Sequence, residues 1–309
     1  MLIILGFGRS GTTWISDIIS KVTGSLILFE PLHPSVTDLS RNFSYSAVAN
    51  KDDSIILKDY LENVLNKRHR KMWLMRNHVP TPLENVSHNF LEVLWEECSV
   101  IGFKEIRANF MIPWLRSNLN AKIIFVVRHP LAVVSSILKR SNFWEFGWPD
   151  TYELFLEKTI YNSCYKDHEI STCIDLIQSA KTTLEKITVM WAVTHAIALP
   201  ELKKLNLPFF YYEDIYCDPF SSIRNMFRYL GYNQIKLHPS YLFTPSMTTL
   251  KTIHGLYSME ERILSKNLAF FWERILSEKE IGTVMDIVGH FRIHVYDDNL
   301  PNEKMGGLC

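Results

Sequence analysis

The chain has 309 residues, 47% of them hydrophobic and 21% charged, which supplies a large buried core and excludes a disordered protein. Thirty-three Lys and Arg balance thirty-three Asp and Glu, so there is no broad positive field to attract nucleic acid or an anionic membrane, and any anion site has to be local. Five cysteines, Cys98, Cys164, Cys173, Cys217 and Cys309, are odd in number and lack a CxxC pair, which predicts reduced thiols and neither zinc nor a redox couple.

In chain order, apolar runs predict strands over 2–6, 25–29, 100–104, 122–127 and 207–212, separated by stretches of helical period. That alternation predicts an α/β fold in three layers, with helices on both faces of a mostly parallel sheet. No basic, apolar leader precedes the first strand, and no run reaches the ~18 to 20 apolar residues that cross a bilayer, so the expectation is a cytoplasmic chain without signal peptide or membrane span. The intervals 45–98 and 141–185 lack a convincing strand and are expected to be mainly helical insertions over the active face. The basic run at 67–71 reads as a solvated helix end. With no repeat and no low-complexity linker, residues 1–309 are expected to form one domain.

Gly6-Phe-Gly-Arg-Ser-Gly-Thr-Thr13 lies between the first strand and a helix in which Trp14, Ile15, Ile18 and Ile19 share one face. A glycine turn there can wrap a phosphate in backbone N–H groups. Gly6, Gly11 and Thr13 fit the triphosphate loop GxxxxGK[ST], but Thr12 stands where that loop needs lysine. Arg9 is the nearest cation, and the strand 122–127 runs into Arg128 where a kinase would place a magnesium ligand. Both departures predict an anion held by side-chain cations and amides without a metal. A second anion site follows the strand: Arg128 at its end, Pro130 at the first turn of a helix, and Ser136 a little over two turns further on.

Arg9-Ser-Gly-Thr-Thr-Trp14 resembles the 5′-phosphosulfate loop of sulfotransferases, and Arg128-x-Pro with Ser136 resembles their 3′-phosphate motif. Tyr211-Tyr-Glu-Asp-Ile-x-x-Asp-Pro219 with Phe227-Arg-Tyr-Leu-Gly231 is similar to that family's strand–turn–helix segment, and Trp272 with Leu276–Glu280 to its C-terminal helices. The resemblance implies a P-loop-like sheet that binds 3′-phosphoadenosine 5′-phosphosulfate (PAPS) through Arg9, Ser10, Gly11, Thr12, Thr13, Trp14, Arg128, Ser136 and Tyr212, with Tyr212 near the adenine. Trp14 fits either the adenine or the core.

Sulfuryl transfer to an alcohol needs a base for the hydroxyl proton and positive charge where the bridging oxygen leaves. Glu30, at the end of the second strand in Phe29-Glu-Pro-Leu-His33, is the candidate base, with His33 in reserve and Arg9 at the leaving group. Carbohydrate-type sulfotransferases have a similar Glu-Pro, whereas the cytosolic phenol and steroid type has a histidine two residues after a third-strand lysine; here Ile106 occupies that place after Lys104. The resemblance therefore implies a carbohydrate or similar hydroxyl acceptor. Lys104 and Arg107 fit either the acceptor side or sheet-edge salt bridges, and Trp73, Trp144 and Trp148 either an acceptor wall or the core. The interval 244–266 is expected to complete the donor site. Two rivals remain at this point: a non-catalytic binder of the donor or its bisphosphate product, and a degenerate P-loop nucleotide kinase.

Overall fold

The computed structural model describes residues 1–66, 73–76, 79–82, 96–97, 99–139, 148–159, 169–243, 271–293 and 296. Strands β1 (Leu2–Gly6), β2 (Leu26–Phe29), β3 (Trp73–Arg76), β4 (Val79–Pro82), β5 (Val100–Lys104), β6 (Lys122–Val127) and β7 (Phe209–Tyr211) form one sheet in the order β4-β3-β2-β5-β1-β6-β7. The five strands from β2 to β7 in that order run parallel, with Ile3 paired to Phe103 on one side and to Ile123 on the other. The five strands expected from the apolar runs are the five parallel ones.

Helices α1 (Thr12–Thr23), α2 (Asp38–Phe43), α3 (Lys51–Leu65), α4 (Ile112–Asn118), α5 (Pro130–Leu138), α6 (Trp148–Thr159), α7 (Ile174–Ser179), α8 (Thr183–Lys204), α9 (Tyr212–Cys217), α10 (Pro219–Tyr229), α11 (Pro239–Phe243) and α12 (Glu278–His290) surround it. Alternation along the strands decides which layer each side chain meets. Leu2 and Ile4 of β1 and Ile124 and Val126 of β6 pack with Ile15, Ile18 and Ile19 of α1 and with Met226 and Phe227 of α10. Ile3, Leu5, Ile123 and Phe125 face the other way, onto Leu57 and Leu61 of α3, Leu115 of α4 and Ala198 and Leu202 of α8. At about 25 cal/mol per Å², each of the buried Ile, Leu, Val, Met and Phe side chains among them contributes about 1.5–3 kcal/mol of transfer free energy.

Two expectations need correction. The interval 45–98 is not helical throughout: α3 is followed by the antiparallel hairpin β3–β4, which joins the edge of β2 through Leu28 opposite Leu74. In addition, Cys217 is disulfide-bonded, whereas all five thiols were expected to be reduced; Cys173 is free and buried. No helix among the described residues is long and apolar enough to cross a membrane.

Candidate active site

The turn between β1 and α1 is shaped by two glycines. Gly6 has φ 150° and Gly11 has φ 91°; a Cβ on Gly6 would lie 2.5 Å from the Val126 carbonyl oxygen, and one on Gly11 would lie 2.4 Å from the Tyr212 ring. Both positions therefore need glycine for conformation and for space. Gly11 is the N-cap of α1 and offers no side-chain acceptor, so the first-turn N–H groups of the helix stay directed at the loop. Ser10, Thr12, Thr13 and Trp14 are all buried.

The second anion motif comes to the same place. Arg9 donates from Nε to Ser136 Oγ at 3.0 Å, and Arg128 donates from Nη1 to the Arg9 carbonyl at 2.9 Å. The Arg128 guanidinium lies 4.2 Å over the Tyr212 ring, and Tyr212 meets Trp14 edge-on at 5.9 Å. Arg9, Ser136, Arg128, Tyr212 and Trp14 thus form one continuous cluster, drawn from three separate segments of the chain. Within and beside it Ser10 Oγ, Trp14 Nε1 and Arg128 Nε are buried without a hydrogen-bond partner. Orphaned donors on Ser10 and Trp14 at the start of α1, and on the Arg128 guanidinium itself, fit a phosphate-bearing ligand, since a buried polar group left unpaired costs about 1–3 kcal/mol.

Three residues not singled out in the sequence hold this cluster. Asn109 accepts from Gly6 N–H and donates back to Gly6 C=O, both at 3.2 Å, and also donates to Ile106 C=O at 2.7 Å. Trp191 Nε1–H donates to the Arg128 carbonyl at 3.1 Å. Glu213 accepts from His129 N–H at 3.0 Å and from Tyr296 O–H at 2.8 Å; burial pushes its pKa up. Asn109 and Trp191 lie in no motif, and Glu213 lies in the Tyr211–Pro219 segment without having been given a role there. Their signal is positional, since a polar residue within an apolar segment needs a buried partner.

The remaining candidate residues lie at the ends of β2 and β5. Glu30 is 6% exposed, at φ 46°, and its carboxylate accepts from Lys104 Nζ on one oxygen and from Arg107 Nη1 at 2.6 Å on the other. Burial by itself would raise the Glu30 pKa, but Lys104 and Arg107 prevail and hold it at about 2. His33 is held at about 3 by burial and by Arg107, so its ring is neutral near pH 7; Nδ1 pairs with Ser35 Oγ at 2.7 Å and accepts from Ser35 N–H. Lys104 and Arg107 are therefore buried ion-pair partners of Glu30. The β5 exit also touches the phosphate loop, because a Cβ on Gly8 would be 3.5 Å from Ile106 Cδ1. Trp144 and the interval 244–266 lie outside the described residues. Among the described residues no cluster of His, Cys, Asp and Glu could hold a metal ion.

The family model "Sulfotransferase domain" matches residues 1–306. The chain belongs to the sulfotransferase family: it transfers a sulfuryl group, with PAPS as donor, and the loop, the two arginines and the orphaned donors above fit that ligand. Solved structures similar to it include the sulfotransferase domain of the curacin biosynthetic pathway, at 13% identity over 96% of this chain and 98% of that one with a TM-score of 0.48. A mouse sulfotransferase complexed with PAP is 15% identical over 95% and 84% of the two chains, TM-score 0.43, and a Mycobacterium avium sulfotransferase 13% identical over 97% and 77%, TM-score 0.41. No curated protein matches the chain significantly in sequence.

Proposed function

We propose that this sulfotransferase acts on a hydroxyl of a carbohydrate or a similar alcohol, with Glu30 as the base, and that residues 1–309 act as one catalytic domain. The observation that carries the reading is the buried carboxylate of Glu30 at the end of β2, flanked by Lys104 and Arg107, which bracket the Ile106 that approaches Gly8 of the phosphate loop. Ile106 occupies the place where a histidine base would be expected, which favours the glutamate.

The donor supplies an activated sulfuryl group joined to its 5′-phosphate through a bridging oxygen. Arg9, Ser10 and the N-terminus of α1 bind the phosphate end, while Arg128 and Ser136 bind the 3′-phosphate and Tyr212 and Trp14 the adenine. The acceptor oxygen forms the new S–O bond as the bridging S–O bond breaks, the proton passes to Glu30, and 3′,5′-adenosine bisphosphate leaves. A carboxylate with pKa about 2 is a weak base. Glu30 gains basicity when Lys104 turns from it toward the sulfuryl oxygens, since loss of a neighbouring cation raises a carboxylate pKa.

Two measurements test this. Glu30→Gln should lower turnover at least ~10²-fold, the lower scale of general-base catalysis, while leaving bisphosphate affinity intact; unchanged turnover would remove Glu30 as the base. Sulfated product should appear with saccharide acceptors and not with phenols or steroids, and the reverse pattern would sink the acceptor assignment. A single cooperative unfolding transition checks the one-domain reading.

A further inference from the structure

Glu105 follows β5, is fully buried, and has no part in the chemistry described above. Its carboxylate accepts three backbone N–H bonds. Oε2 takes Leu32 N–H at 2.6 Å, and Oε1 takes Ile106 N–H at 2.8 Å and Arg107 N–H at 3.0 Å. Its own N–H donates to the Ile4 carbonyl on β1 at 2.9 Å. Arg107 Nη1 lies 3.6 Å from Oε1, so this guanidinium sits between the carboxylates of Glu105 and Glu30. Burial pushes the Glu105 pKa up, and Arg107 and the Leu32 N–H act against it.

Glu30 is in the left-handed region, which costs a residue with a Cβ roughly 1–2 kcal/mol and persists only where the surroundings enforce it. The turn that follows is enforced on several sides. Glu30 N–H donates to Lys104 C=O and His33 N–H to Glu30 C=O, Tyr60 O–H donates to Pro31 C=O, and Ser44 O–H to Leu32 C=O. Among these contacts Glu105 alone ties the turn to the backbone of Arg107, the cation on the opposite side of Glu30.

We propose that Glu105 is a positioning residue: by holding Leu32 N–H with one oxygen and the Ile106–Arg107 backbone with the other, it fixes Glu30 and Arg107 relative to each other for proton transfer. This rests on the reading of Glu30 as the base. Glu105→Gln cannot serve both groups, because its single carbonyl oxygen accepts on one side while its amide N–H groups face an N–H donor on the other.

The experiment compares the full chain with Glu105→Gln, Glu105→Asp, Glu30→Gln and the double variant Glu30→Gln/Glu105→Gln, reading kcat, donor KM and bisphosphate Kd. Glu105→Gln is expected to lower kcat about 10- to 10²-fold, the scale of a misplaced catalytic group, with donor KM and bisphosphate Kd unchanged. The double variant is expected to be no slower than Glu30→Gln, since residues acting through one step are not additive. Glu105→Asp keeps the charge beside Arg107 but falls short of Leu32 N–H, and is expected to lose kcat in the same way. Wild-type kcat in either folded Glu105 variant overturns the inference, as does a loss that appears in bisphosphate Kd or one that multiplies with that of Glu30→Gln. If Glu30→Gln turns over normally, the base reading falls and the inference with it; if Glu30→Gln is inactive and the Glu105 variants are not, only the inference falls.

Discussion

Arg9 and Ser136 stand 127 positions apart in the chain, and Arg9 Nε donates to Ser136 Oγ at 3.0 Å. The bond joins the turn after β1 to the helix after β6, and β1 and β6 are hydrogen-bonded neighbours. Ligands of parallel α/β sheets bind at the carboxyl ends of such strands. The two candidate phosphate motifs are thus brought into contact at one end of the sheet, although neither predicts the other's distance.

Arg128 rests on the Tyr212 ring and anchors the Arg9 carbonyl, so Arg128→Ala should weaken bisphosphate binding by about 1.5–3 kcal/mol, the scale of a hydrogen bond to a charged group. The loss should be far smaller for an analogue lacking the 3′-phosphate. Calorimetric titration of both ligands against both proteins tests this, and equal losses for the two would place Arg128 elsewhere.

Gly11→Ala puts a methyl group into the Tyr212 ring at a φ that alanine resists. Strain of about 1–3 kcal/mol is expected, relieved only by moving Tyr212 and with it the support of Arg128. Chemical denaturation should show the stability loss and titration a weaker donor site; an unchanged midpoint would mean that the loop tolerates a side chain there.

Asn109 is 3% exposed and bonds both polar groups of Gly6. In Asn109→Asp a carboxylate oxygen replaces the amide nitrogen and faces the carbonyls of Gly6 and Ile106, so two donors are lost at about 1–3 kcal/mol each. Reduced thermal stability with a raised bisphosphate Kd is the expected result, and wild-type values for both would remove Asn109 from the loop's support.

Acid should destabilise the protein from about pH 6.5 downward. Burial is the largest cause holding His33 and His129 at about 3 and His195 at about 4, below the ordinary 6.5. Below that value the unfolded chain binds protons that the native state refuses, so stability falls by up to about 1.4 kcal/mol per pH unit for each histidine. Glu30 adds a lower window. Its folded pKa of about 2 lies under the ordinary carboxylate value of 4.5, so its contribution is present above 4.5 and is lost as pH falls toward 2. Urea midpoints at pH 7, 6 and 5 should decrease in that order, and His195→Gln should flatten the slope; equal midpoints would contradict the burial of neutral histidines.

The parallel strands, the glycine turn after β1 and the arginine after β6 were legible as structure because each rests on local pattern: apolar runs of strand length, glycines at a strand–helix turn, and an arginine at a strand end. The hairpin β3–β4 was not, since Pro80 and Pro82 argue against a strand in any interior position. They are tolerated because β4 is the edge of the sheet, where unpaired N–H groups are not required. Glu105, Asn109 and Glu213 escaped for another reason. Each bonds to backbone or side chains far away in sequence, and nothing in the neighbouring residues marks a buried carboxylate or amide that caps someone else's main chain. Lys104 and Arg107 were visible as cations, but their shared engagement with Glu30 depends on the register of β2 against β5.

Strand β1 carries the ties to both halves of the site: its Ile4 carbonyl holds Glu105, and Gly6 at its end is held by Asn109. That strand is central in the sheet, with β5 on one side and β6 on the other, so the phosphate loop directly, and the turn at Glu30 through Glu105, are anchored to it. Hydrogen–deuterium exchange should therefore find the amides of Gly6, Leu32 and Glu105 among the slowest in the chain, released together and only as the whole sheet opens.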